Sequence, residues 1–282
     1  MSRIEKWVAL VAVGVALAVA GCGDQPSQPS AAAGPAKTIE AMVPCGQIGP
    51  FYEALKLFEA ANPGVQVHSV PENMVTITAQ IVDGKAQPDL FLTMGDLEMD
   101  QVEQAGLVTE GTRTKYAENS LAIMTPDTNP AGVHAIADLT KAAVKGIAVP
   151  DPETNSVGMH AVAALKAAGI WDQVEGKIFV MRMAADTKDA AAQGQVQATI
   201  GYYPCAVEVH IPGQPPTEAK KLKMVGPIAS DLYRPFWCEG AVVEGSNNPE
   251  GGRKLLEFLT TPEAQEIFRK WQFVSEPPAA ES

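Results

Sequence analysis

A mostly parallel α/β fold is predicted from three features of the sequence. Short strand-like runs alternate with segments of helical period along most of the chain, the pattern of sheets with helices on both faces. The run Pro88-Asp89-Leu90-Phe91-Leu92-Thr93, followed by Gly95, reads as a strand covered on both sides. Breakers such as Asn62-Pro63-Gly64, Asp83-Gly84 and Gly169 stand where one segment must stop and the next begin. In such folds ligands gather at the C-terminal ends of the strands.

Taken in order, Thr38 to Val43 reads as a strand, and Phe51 to Ala61 as a helix with Phe51, Leu55, Leu57 and Phe58 at helical spacing. Val65 to Val70 is a strand, Ile77 to Val82 a helix and Pro88 to Thr93 a buried strand. Ser120 to Thr125 and Gly146 to Pro152 follow as strands, the second running into a loop at a sheet mouth. Asn155 or Ser156 caps a helix from Val157 to Ala168 that Gly169 ends. Strand-like segments recur at Lys177 to Met181, Ala198 to Tyr203 and Leu222 to Val225. Ala241-Val242-Val243 opens a closing unit with terminal helices at Gly251 to Phe258 and Pro262 to Trp271.

The ends have another character. Residues 1–21 join a charged start to a short apolar core from Trp7 to Ala20, the plan of an export signal. Val19-Ala20-Gly21-Cys22 resembles the lipobox of bacterial lipoproteins, which implies acylation of Cys22 and anchoring to a membrane outside the cytoplasm. Residues 22–37 are rich in Pro, Ser, Gln, Gly and Ala and read as a flexible tether; 275–282 read as a frayed tail. A formal net charge of -12 without a basic stripe argues against a nucleic-acid partner. No Cys-x-x-Cys, His-Glu-x-x-His, Gly-x-Ser-x-Gly or phosphate loop is present, so nothing points to an enzyme, and no cofactor is expected.

The motifs Pro88-Asp89-Leu90-Phe91, Gln104-Ala105-Gly106-Leu107-Val108, Asn119-Ser120-Leu121-Ala122 and Ala148-Val149-Pro150-Asp151-Pro152-Glu153 run in a recognisable order. Gly169-Ile170-Trp171-Asp172, Ile200-Gly201-Tyr202, Ala241-Val242-Val243-Glu244-Gly245 and Pro262-Glu263-Ala264-Gln265-Glu266-Ile267-Phe268 continue it. In this order they resemble the molybdate-binding proteins of ABC importers, a branch of the two-lobed periplasmic binding proteins. The resemblance implies lobe one from 38–113 and 234–274, lobe two from 114–233, and a small inorganic ligand between them. It also implies an ABC permease partner and a monomeric receptor.

Such proteins hold an oxyanion with neutral donors: Ser hydroxyls, backbone N–H groups at helix starts and one Tyr hydroxyl. Carried onto this chain, the donors fall at Gly46 in Cys45-Gly46-Gln47, at Thr76 beside Val75, at Val157, at Thr187 and at Tyr202. The serines expected at the first two places are absent, although Thr76 keeps a hydroxyl and Gly46 an amide. Cys45, Cys205 and Cys238 all fall near the implied cleft, with His160 on the helix after Val157 as a candidate fourth ligand or anion donor. Three thiolates on one point suit a thiophilic metal or metalloid; alternatively Cys45 and Cys238 pair as a disulfide, or the thiols are unrelated. A thiol-redox protein and a surface sensor are the remaining alternatives. His160 reads most simply as a solvated helix-end residue, and Asp96, Glu98, Asp100 and Glu103 as a solvated helix face. Tyr203, Trp237 and Glu239 adjoin the implied site.

Overall fold

The computed structural model describes residues 37–203 and 222–273. Residues 1–36, including the signal-like run, Cys22 and nearly all of the tether, lie outside the described residues, as do Cys205 and residues 274–282. Among the described residues, no helix is long and apolar enough to cross a membrane.

The chain first lays down β1 (Lys37–Pro44), α1 (Ile48–Ala61), β2 (Val65–Glu72), α2 (Met74–Val82), β3 (Leu90–Leu92), α3 (Asp96–Gln104) and β4 (Thr114–Asn119). Next come β5 (Leu121–Pro126), β6 (Ile147–Pro150), α4 (Ser156–Ala167), α5 (Trp171–Val174), β7 (Ile178–Met181), α6 (Ala184–Ala192), β8 (Ala198–Tyr202) and β9 (Leu222–Pro227). The chain then returns through β10 (Phe236–Val242), α7 (Pro249–Leu259) and α8 (Pro262–Lys270). Among the described residues these strands form two five-stranded sheets, ordered β2-β1-β3-β10-β4 and β7-β6-β8-β5-β9. In each, one strand opposes its neighbours: β10 is antiparallel to β3 and β4, and β5 to β8 and β9.

Each sheet is covered on both faces. In the first, Phe51, Phe58 and Leu255 of α1 and α7 pack with Ile39 and Leu90, while Ile77, Ile81, Met99 and Val102 of α2 and α3 pack on Phe91. This explains why β3 is buried at every position, whereas the edge strand β2 alternates between half-buried and exposed residues. In the second sheet, Val157, Ala161 and Leu165 of α4 pack with Ile147 and Val149, and Ala190 and Ala191 of α6 pack with Ala148. The chain passes between the sheets twice, at Ser120 and between Pro227 and Phe236. The Leu121 N–H donates to the Tyr233 hydroxyl at 3.2 Å, tying the two crossings together.

The expected lobe boundary at 113/114 falls one element early, because β4 pairs with β10 in the first sheet. Its anchor is Tyr116, which stacks near Phe268 of α8 at 5.4 Å and donates its hydroxyl to Gln47. With Tyr116 as its only large apolar residue, Thr114–Asn119 carries little periodic signal.

Candidate functional site

Parallel register places the helix heads. In the first sheet Pro44 lies opposite Glu72, so the turn at Cys45–Gln47 and the head of α2 open on the same edge. β3 runs parallel to β1 and delivers the head of α3 there as well. In the second sheet Pro150 lies opposite Met181, bringing together the heads of α4 and α6. β8 runs parallel to β6 and ends at Tyr202 on that edge. The two edges face each other, since the heads of α3 and α4 are in direct contact: the Leu97 N–H donates to Ser156 Oγ at 3.0 Å.

This arrangement brings the residues of the oxyanion reading to two opposed edges, Gly46 and Thr76 on one, Val157, Thr187 and Tyr202 on the other. Their donors are in different states. The Val157 amide donates to Asn155 Oδ1 at 3.0 Å and the Val75 amide to Asn73 Oδ1 at 3.0 Å, so each helix carries an Asn cap at the predicted cradle. The Thr187 hydroxyl donates to the Ala184 carbonyl at 3.0 Å and its amide to the Met183 carbonyl at 3.4 Å, both within its own helix. Gly46 is held by its neighbour: the buried Gln47 side chain donates to the Thr93 carbonyl at 2.9 Å and accepts from Tyr116. Tyr202 packs beside Phe236, with ring centroids 6.0 Å apart.

Cys45 is exposed, Cys238 is buried, and no disulfide joins them. Asn119 Nδ2 donates to Cys238 Sγ at 3.4 Å and to the Met94 carbonyl at 2.9 Å, which fixes the thiol inside lobe one. Among the described residues no group of three or more His, Cys, Asp and Glu could hold a metal ion. Cys205, the third member of the thiophilic reading, lies outside those residues.

His160, Asp96 and Glu98 differ from expectation, whereas Asp100 and Glu103 keep a solvated face. His160 is buried rather than solvated; it stacks on Phe236 with centroids 4.1 Å apart and lies 3.5 Å from Asp96 Oδ1, at the limit of a hydrogen bond. Glu98 is fully buried, accepting the Ser156 N–H at 3.0 Å on one oxygen and the Ser156 hydroxyl on the other. Asp100 and Glu103 pair with Arg113 at 2.7 and 2.5 Å, and Arg113 reaches on to the buried Glu239 at 2.6 Å. The burial of Glu98 was not legible in the sequence because its partner Ser156 comes from an element remote in the chain. The pairing of β10 with β4 shifts register between Cys238 and Glu239, and the Glu239 side chain pairs with Arg113. Tyr203 and Trp237 are half-buried.

Asp96 and Glu98 titrate in opposite senses. Burial alone would raise Asp96, but His160 and Arg234 outweigh it and hold its carboxyl at about 2. Its contribution to stability is therefore complete above the ordinary value of 3.8 and is lost as pH falls toward 2. Asp96→Asn is expected to cost about 2 kcal/mol at pH 7 and nearly nothing at pH 2, measured by urea unfolding at both values. Burial pushes Glu98 up from 4.5, against the bonds from Ser156, so its contribution is complete below 4.5 and declines as pH rises through its folded value.

The profile of the bacterial extracellular solute-binding protein family matches residues 39–274. The molybdate-binding protein ModA of Mycobacterium bovis is 32% identical over 141 residues, 48% of this chain and 53% of that protein. The chain thus aligns with about half the length of the curated relatives it matches. Among solved structures, the periplasmic molybdate-binding protein of Azotobacter vinelandii superposes with a TM-score of 0.67 at 16% identity, covering 85% of this chain and 100% of that one. The sulfate-binding protein SubI of Mycobacterium tuberculosis superposes with a TM-score of 0.67 at 17% identity, covering 86% and 88%. The two opposed sheets, their facing helix heads and a family match across nearly all of the described residues agree: the chain belongs to the bacterial extracellular solute-binding proteins.

Proposed function

We propose that this protein is an extracytoplasmic receptor, anchored by lipid at Cys22, that captures a molybdate-like tetrahedral oxyanion between its lobes and delivers it to an ABC permease. The observation that carries the reading is the convergence of helix heads from two sheets on facing edges. Helix N-termini present N–H groups and a positive dipole end, which favour an anion without a counter-ion. The Asn caps do not defeat this. An anion competes there with neutral amide oxygens, and hydrogen bonds to a charged acceptor are roughly twice as strong. Tyr202 and the Thr76 hydroxyl supply neutral donors from opposite edges, so both lobes contribute to one ligand and binding favours closure. The 32% identity over 141 residues to a relative named for molybdate supports that oxyanion.

The test is the melting temperature of the full chain, kept reduced, with molybdate, tungstate, sulfate, Zn(II) and arsenite in parallel. Molybdate and tungstate are expected to raise it, and sulfate, Zn(II) and arsenite to leave it within error. A rise with Zn(II) or arsenite alone would replace this reading with the thiophilic one.

A further inference from the structure

We infer that Glu98 of lobe one is an interlobe clasp: seated on the first turn of α4, its carboxyl group holds the lobes together and prolongs the retention of a ligand in the cleft. Glu98 stands on the first turn of α3, on the edge of the first sheet, and its partner Ser156 is the first residue of α4, on the edge of the second. One Glu98 oxygen accepts the Ser156 N–H at 3.0 Å and the other accepts the Ser156 hydroxyl. Ser156 Oγ in turn accepts the Leu97 N–H at 3.0 Å, closing a ring of three hydrogen bonds between the lobes. Glu98 and Ser156 are both 0% exposed. Beside the ring, Gly95 lies so close to Ser156 that a Cβ at position 95 would overlap its side chain.

The position has a chemical logic. The head of α4 leaves N–H groups without partners in its own helix, and here a carboxyl group from the opposite lobe accepts one of them. Opening the lobes would return Glu98 and the Ser156 donors to water, so much of the bond energy is exchanged for hydration and the net hold is modest. A modest hold suits a receptor that must also open. Removing one partner while the other stays buried costs more, because the remaining group has neither water nor a mate. At the same junction Asp96 Oδ1 of α3 lies 3.5 Å from His160 Nε2 of α4.

The experiment compares hydrogen exchange in the full-length wild type, Glu98→Gln, Ser156→Ala and Gly95→Ala, first without ligand. Exchange at the heads of α3 and α4 is expected to accelerate at least tenfold in all three variants, while amides of β1, β3 and β6 keep wild-type rates. The ligand arm rests on the capture reading: molybdate dissociation should be about tenfold faster in Glu98→Gln than in wild type. Unchanged exchange at both heads, or acceleration spread equally over both sheets, would overturn the clasp and leave Glu98 a structural acid. If the wild type binds no molybdate, the capture reading falls, and the ligand-free exchange still decides the clasp.

Discussion

Gly158→Ala is expected to cost about 2 kcal/mol of stability and to displace the head of α4, although alanine is the better helix former. Gly158 lies in the first turn of α4, next to Val157, and a Cβ there would overlap the carbonyl oxygen of Pro150 at the end of β6. The helix-propensity gain is about 1 kcal/mol, and overpacking against a backbone atom that cannot rotate away exceeds it. Gly176→Ala is the control, because its Cβ would meet nothing within 4 Å. Urea unfolding should separate the two variants widely; equal stabilities would mean that α4 and β6 are not packed this closely.

Arg113→Ala is expected to destabilise the chain by about 3 kcal/mol at pH 7, the lower end for a broken buried pair. The reason is Glu239, whose side chain is 2% exposed while that of Arg113 is 25% exposed. Burial pushes the Glu239 carboxyl up, and Arg113 opposes that shift. Without the guanidinium, Glu239 is left charged in a dry site or must take up a proton. Arg113→Ala with Glu239→Gln should recover a substantial part of the loss, because the uncompensated charge is gone. Chemical denaturation of the single and double variants measures the recovery, and strictly additive losses would show that the pair is not coupled.

What the sequence revealed, and what it hid, follows from the range of the interactions. The helix from Val157 and its Asn155 cap were readable because the cap, the period and the closing Gly169 are all local. The covered strand Leu90–Leu92 was readable from its apolar run. β4 was not, because Tyr116 is held by Gln47 and Phe268, which lie far away along the chain. The same holds for the site. The two edges could be located through the resemblance, but the burial of His160 depends on Phe236 of β10, and that of Glu98 on Ser156 of the opposite lobe. A run of Asp and Glu on one helix looks alike whether it faces water or another lobe.

The most direct measurement is the melting shift produced by molybdate on the reduced full chain. At about a thousandfold excess over the dissociation constant a specific ligand adds roughly 4 kcal/mol, which for a chain of this size is a rise on the order of 10 °C. The account predicts that rise for molybdate, with most of it lost in Tyr202→Phe. No shift with molybdate or tungstate at millimolar concentration, or a full shift retained in Tyr202→Phe, would contradict it.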